Sequence, residues 1–274
     1  MSTAGTTIAV KSVELPGGVE IPYVEVGDSG GVPVLFLHGL TDSWLSFEGV
    51  LPHLPGSVRA FALSQRGHGD ATRPALGYYP EDFAADLAAF MDTLGLGTAV
   101  IAGHSMGSRI AQRFALDYPD RTRGLVLMGS FTTMRGNPPV MELWDVVSKL
   151  ADPVDSAFVR DFQVSTLAHP VAPAFLNTVV RESLKVPARV WRAVLDGLLV
   201  ADFSADLREI KAPTLIAWGD RDAFFPRSEQ QALAAAIAGS RLMIYPGGGH
   251  AFHWEDPRRF AADLTAFTAG LSDR

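Results

Sequence analysis

At 274 residues the chain can form one large α/β domain with an insertion, and 47% apolar against 19% charged residues is too apolar for general disorder. A net charge of −7 without any run of Lys and Arg disfavours a nucleic-acid partner, and zero cysteines exclude disulfides, thiolate metal sites and a cysteine nucleophile. Residues 1–10 lack a signal peptide's apolar stretch and no window approaches the ~20 apolar residues of a membrane helix, so a cytoplasmic protein without integral membrane association is expected.

Residues 7–14 and 19–26 read as a hairpin around Pro16-Gly17-Gly18. Residues 32–37 form an apolar run without alternation, the pattern of a parallel strand buried on both faces, and 59–63 has the same character. The spacing of Phe83, Leu87, Phe90 and Leu94 predicts a helix over 80–94, with Glu81 and Asp82 at its positive end and Gly95 as a stop. A strand at 98–102 leads through Gly103-His104-Ser105-Met106-Gly107 into a helix at 108–118, and 124–128 reads as the next strand. From 130 to about 210 no strand-like run occurs. Helical pieces fall there near 138–151, 154–167, 171–184 and 187–200, punctuated by Pro138-Pro139, Pro153, Pro170, Pro173 and Pro187. Strands resume at 213–218 and 241–245, with helices at 227–237 and 256–271. The alternation predicts an α/β fold with a mostly parallel, doubly wound sheet flanked by helices. Residues 1–129 and 211–274 would form the core, and 130–210 a helical lid over the carboxyl edge of the sheet, where such folds bind ligands. A subdomain with only a packing role is the competing reading.

Strand, sharp glycine-flanked turn and helix is the setting an exposed, activated serine needs, so Ser105 is the candidate nucleophile. Its acid and base should follow later strands in the order Ser, Asp or Glu, His. Asp222 in Gly219-Asp220-Arg221-Asp222 and His250 in Gly247-Gly248-Gly249-His250 meet that requirement. His250 would take the serine proton, and Asp222 would fix the imidazole tautomer and stabilise the cation. The backbone N–H groups of Met106 and Leu40 would receive charge developing on the substrate oxygen. Asp220 and His253 are the rivals: an Asp directly after the glycine suits a turn-closing role, and His253 suits capping or lining of the last helix. His104 is expected to pack below the nucleophile, His38 to shape the Leu40 loop, and His53 and His169 to be solvated. No histidine spacing supports a metal site, and no cofactor is expected.

These residues resemble the α/β-hydrolase superfamily, in its serine esterase and lipase-like, lidded form, over nearly the whole chain. The likeness includes Phe36-Leu37-His38-Gly39-Leu40, Gln65-Arg66-Gly67-His68-Gly69-Asp70 with Arg73-Pro74, the Gly219 to Asp222 run with Pro226, and Gly249-His250 leading into Trp254-Glu255-Asp256-Pro257. It places nucleophile, acid and base on Ser105, Asp222 and His250. Ser64 stands where relatives often have Asp, and Ser108 replaces a common glycine; both lie away from the proton-transfer chain. Arg66 and Asp70 are expected to brace the loop they share. A serine at this turn disfavours the dehalogenase and epoxide-hydrolase chemistries of the family, which use Asp there. The resemblance implies hydrolysis of small or medium apolar carboxylic esters through an acyl-enzyme. Lactonase, perhydrolase or C–C bond hydrolase activity, or a receptor role on the same fold, are the alternatives. In the lid region Phe131, Met134, Trp144, Phe162, Phe175, Leu176, Trp191, Leu195 and Leu198 supply apolar surface, about half of it expected to face the cleft. Trp44, Phe131, Met134, Trp144, Phe162 and Trp191 are the candidate substrate-binding residues. A monomer or small homo-oligomer is expected.

Overall fold

A computed structural model of the chain describes residues 8–271. Eight strands form one sheet: β1 (Val10–Leu15), β2 (Val19–Val26), β3 (Val32–Leu37), β4 (Val58–Leu63), β5 (Ala99–His104), β6 (Thr122–Met128), β7 (Thr214–Gly219) and β8 (Arg241–Tyr245). Their spatial order is β1-β2-β4-β3-β5-β6-β7-β8. β2 is antiparallel to both neighbours, and every later pairing is parallel. The hairpin expected from residue 7 therefore begins at Val10, and residue 7 itself lies outside the described residues.

Alternate residues of the central strands feed two apolar cores, as the two-residue repeat of a strand requires. Leu35, Leu37, Ile101, Leu125, Leu127 and Ile216 face one core. Helices α1 (Pro80–Thr93) and α2 (Met106–Asp117) cover it with Phe83, Leu87, Phe90, Ile110 and Phe114, and α7 (Arg227–Ala236) adds Leu233. Val34, Phe36, Val100, Ala102, Val126, Leu215 and Ala217 face the other core, where Phe252 of α8 (Phe252–Glu255) and Phe260 and Leu264 of α9 (Pro257–Ala269) close it. Full burial of each such large side chain contributes about 1.5–3 kcal/mol. Burial on both faces explains why the inner strands read as unbroken apolar runs.

Between β6 and β7 the chain leaves the sheet as four helices, α3 (Pro138–Val147), α4 (Ser156–Ser165), α5 (Pro173–Leu184) and α6 (Ala188–Val200). α6 buries Val190, Trp191, Val194, Leu195 and Leu198 along one face. Gly197 lets that helix approach backbone, since a Cβ there would collide with the Tyr78 carbonyl. The fully buried Arg109 of α2 holds both stems of the insertion. Its guanidinium donates to the Thr132 carbonyl at 2.6 Å on the way out and to the Ala201 carbonyl at 3.0 Å on the return, and lies 3.5 Å from the Phe203 ring centroid.

Arg66 and Asp70 tie the segment they share to different parts of the fold. Arg66 forms a bidentate pair with Asp86 of α1 and donates to the Gly77 carbonyl, while Asp70 accepts from Lys185 beyond α5. The segment is therefore anchored to the sheet-flanking helix through Arg66 and to the insertion through Asp70.

Candidate active site

The parallel strands bring their carboxyl ends to one edge. Leu40 follows β3, Ser105 follows β5, Asp222 follows β7 and His250 follows β8. Ser105 takes φ 51° and ψ −113°, a conformation that costs a non-glycine residue about 1–3 kcal/mol. Both glycines of its turn are sterically required. A Cβ at Gly103 would collide with the Gly107 carbonyl, and one at Gly107 with the Leu37 carbonyl. The turn is pinned where the Ser105 amide donates to the Met128 carbonyl at 2.9 Å. Ser108 donates to the Ser105 carbonyl (2.6 Å) and lies 2.9 Å from Ser130 Oγ, contacts a glycine could not make.

Asp222 and His250 are brought together. The Asp222 side chain is fully buried, and its Oδ2 accepts from His250 Nδ1 at 2.8 Å. Because an ionised carboxylate only accepts, that bond places the proton on Nδ1 and leaves Nε2 as the free acceptor. The other carboxylate oxygen accepts from the amides of Phe224 (2.8 Å) and Phe225 (3.1 Å), so the Asp222 group is aimed before the imidazole arrives. Gly129 leaves room for the ring: a Cβ there would approach the His250 ring to 2.9 Å. Asp220 points elsewhere: its side chain accepts from the Gly247 amide at 2.6 Å, so it ties its turn to the loop after β8 instead of closing its own turn as expected. The loop carrying His250 is also tied to the insertion. Glu255 accepts from the Gly249 amide with one oxygen and from the Ala168 and His169 amides with the other.

Ser105, His250, Leu40 and Met106 line one narrow cavity with about 540 Å³ of empty space, its open mouth included. Among the described residues Ser105 Oγ makes no hydrogen bond to a protein group, and neither do the amides of Leu40 and Met106. Catalytic contacts of this kind commonly tighten only when substrate is bound. Met134, Val140, Leu143, Phe162, Leu195 and Leu198 of the insertion and its entry stem form the facing wall, with Phe224, Phe225 and Trp254 completing it. No Lys or Arg lines the cavity among the described residues. The polar groups on its wall include Asp42 and Gln163, which are hydrogen-bonded to each other (Gln163 Nε2 to Asp42 Oδ1, 3.0 Å).

Of the candidate substrate-binding residues, Met134 and Phe162 face this cavity and four do not. Phe131 is stacked behind the wall on Phe225, with ring centroids 4.5 Å apart. Trp191 is fully buried among Phe158 and Phe162 and fills the interior of the insertion. Trp144 is half-buried against the same core, and Trp44 faces a separate surface groove beside Phe175 and Trp254. Phe131 and Trp191 are thus spent on packing, while Phe162 borders the void together with Leu, Val and Met side chains.

The remaining histidines separate by burial. His38 accepts from the Gln65 amide at Nε2 and donates to the Gly39 carbonyl from Nδ1, which shapes the Leu40 loop. His104 donates to the His250 carbonyl at 3.1 Å and packs 4.8 Å from the His250 ring. His253 lies buried in α8 against His104 and Phe47. It does not cap the final helix, since the Asp256 side chain accepts from the Arg259 amide there. His53 and His169 are exposed. Burial pushes His38 and His104 well below the ordinary imidazole value, His68 down to about 4 and His253 down to about 3. Burial raises the Asp42 carboxyl to about 7, although Gln163 and His250 pull it the other way.

The chain belongs to the alpha/beta hydrolase fold family, whose model it matches over residues 32–194 and 172–257. A 2-hydroxymuconate semialdehyde hydrolase of Pseudomonas sp. is 31% identical over 256 residues, which is 88% of this chain and 89% of that relative. Among solved structures, an esterase from Rhodococcus sp. superposes with a TM-score of 0.85 at 24% identity, over 97% of this chain and all of that one. A bromoperoxidase from Bacillus anthracis does so with 0.86 at 23% identity, over 95% of this chain and all of its own. Both structural likenesses are of fold. The chain is thereby a hydrolase of this family, and no helix among the described residues is long and apolar enough to cross a membrane.

Proposed function

We propose that the protein hydrolyses small or medium apolar carboxylic esters through an acyl-enzyme on Ser105. The observation that carries this reading is that a strained serine and an imidazole already paired with a buried carboxylate open into the same apolar cavity. Ser105 Oγ attacks the ester carbonyl carbon as its proton passes to His250 Nε2. Asp222 stabilises the resulting imidazolium, and the amides of Leu40 and Met106 donate to the oxyanion. When the tetrahedral adduct collapses, the C–O bond to the alcohol breaks and the alkoxide takes the proton from His250. Water then gives a proton to His250, attacks the acyl carbon and releases the acid, restoring Ser105. Residues 130–210 act as the lid, supplying Met134, Val140, Leu143, Phe162, Leu195 and Leu198 to the wall that faces the acyl group.

The lining of the cavity favours this reaction over C–C cleavage. The muconate substrate named for the Pseudomonas relative is an anion, whereas here the wall carries Asp42 and, among the described residues, no Lys or Arg. An unpaired carboxylate buried there would meet no cation. The expected outcome is turnover of p-nitrophenyl acetate and butyrate, at least tenfold slower turnover of the p-nitrophenyl hemiester of succinate, and a loss of at least about 10⁴-fold in kcat for Ser105→Ala. A fluorophosphonate should label wild type at Ser105 only. No ester turnover together with no labelling would remove the reading in favour of a non-catalytic ligand-binding protein.

A further inference from the structure

The loop that carries the Leu40 amide is held in an unfavourable backbone conformation. Thr41 has φ 67°, a region that β-branched residues rarely enter. Besides Ser105 it is the one non-glycine residue with positive φ among those described. Within the loop the Asp42 amide donates to the Gly39 carbonyl at 3.3 Å, and contacts from outside add to that turn bond.

On the sheet side Gln65 bonds His38 and Ser46 bonds Asp42; on the other side the contacts come from the insertion. Thr41 Oγ1 donates to Ser183 Oγ at 3.1 Å, which reaches α5. Gln163 of α4 spends both hydrogens of its amide group, one on Asp42 Oδ1 at 3.0 Å and the other on Ser183 Oγ at 2.7 Å. Ser183 in turn donates to the Val179 carbonyl at 3.0 Å, so its hydroxyl uses both lone pairs and its proton. All four side chains are buried, Asp42 at 3% exposure being the most open. Inside an apolar core such a group is stable only when every member is satisfied, and losing one leaves the others unpaired.

We propose that Gln163 and Ser183 are positioning residues: through Asp42 and Thr41 they hold the 39–42 loop so that the Leu40 amide faces the reacting carbonyl oxygen. The insertion then does more than wall the cavity, because it completes the oxyanion site contributed by the sheet. This role rests on the serine-hydrolase reading above.

The test compares wild type with Ser183→Ala, Gln163→Leu, Thr41→Val and the conservative Thr41→Ser. Ser183→Ala removes a single atom, so it tests the idea even where Gln163→Leu fails to fold. For p-nitrophenyl acetate, Ser183→Ala, Gln163→Leu and Thr41→Val are expected to lower kcat about tenfold or more with KM within twofold. Complete removal of an oxyanion donor costs about 10²–10³. Thr41→Ser keeps the hydroxyl and should retain wild-type kcat within about threefold. In the resting protein, amide hydrogen exchange of a peptide spanning 38–44 should accelerate in the three disruptive variants and not in Thr41→Ser. Unchanged exchange and kcat in Ser183→Ala, or a rise confined to KM, would overturn the proposal. An active wild type with unaffected variants sinks the network alone. A wild type that neither turns over the ester nor labels at Ser105 sinks the hydrolase reading, and the hydrolytic role of the network with it.

Discussion

Asp42 shows how burial decides the behaviour of one residue. Its carboxyl is pushed up to about 7, so between the unfolded value of 3.8 and about pH 7 the folded protein binds a proton that the unfolded chain has lost. The contribution to stability is therefore fullest in acid and declines as pH rises through that window, at about 1.4 kcal/mol per pH unit. Asp42→Asn removes this decline. The melting temperature of the variant relative to wild type should be higher at pH 8 than at pH 5, and a difference independent of pH would contradict the burial of an ionisable group here. The sequence favoured Asp222 over Asp220 through turn chemistry, although Asp220 in fact ties its turn to the Gly247 loop and does not satisfy its own turn. The same sequence offered no signal for Asp42, since Thr-Asp-Ser after a strand reads as an ordinary polar loop. Gln163 was equally silent. A single glutamine on an amphipathic helix becomes informative only when its neighbours in space are known.

At the scale of elements, α2 connects the nucleophile to the insertion through Arg109, four residues beyond Ser105. The helix presents Met106, Ile110 and Phe114 to the core, and Arg109 is buried beside them with no ion-pair partner among the described residues. Burial lowers its pKa to about 10, which still leaves it charged at neutral pH. Its two stem contacts predict that Arg109→Met destabilises the protein by about 2–5 kcal/mol, from two buried carbonyls left unpaired and a lost cation–π contact. Thermal unfolding should report the loss, and tryptic cleavage at the exposed Arg135 in the entry stem should accelerate. A wild-type melting temperature with unchanged proteolysis would show that the stems are held by other contacts. The four helices of the insertion were legible because prolines mark their boundaries and apolar residues recur on one face. Their docking was not. In α6 the same apolar stripe contains Trp191, which fills the interior, and Leu195 and Leu198, which border the cavity. Helical periodicity identifies a buried face without saying what it is buried against.

For the whole molecule, four buried histidines dominate the response to acid. His38, His68, His104 and His253 are all depressed below the ordinary imidazole value of 6.5 by burial. A depressed histidine contributes stability that is present above 6.5 and lost as pH falls from there towards the folded value. As pH falls below 6.5 the unfolded chain takes up protons that these rings refuse in the fold, while Asp42 acts in the opposite sense, so the protein should lose stability and unfold in acid. Circular dichroism across pH 7 to 4 would show it, and retention of native ellipticity and melting temperature at pH 4 would refute the assignment of these rings as neutral and buried.

Strand and helix order, the helical excursion between β6 and β7, and the placement of Ser105, Asp222 and His250 at the carboxyl ends of β5, β7 and β8 were determined by sequence alone. These depend on local periodicity, on the steric needs of glycine-flanked turns, and on parallel strands that must all end at one edge. Which apolar side chains border the cavity, and the ties that Arg109, Gln163, Ser183 and Glu255 make between sheet and insertion, were decided only by tertiary packing. Such contacts join residues far apart in the chain, and a hydrogen bond or a wall exists only once both partners have been brought within a few ångströms.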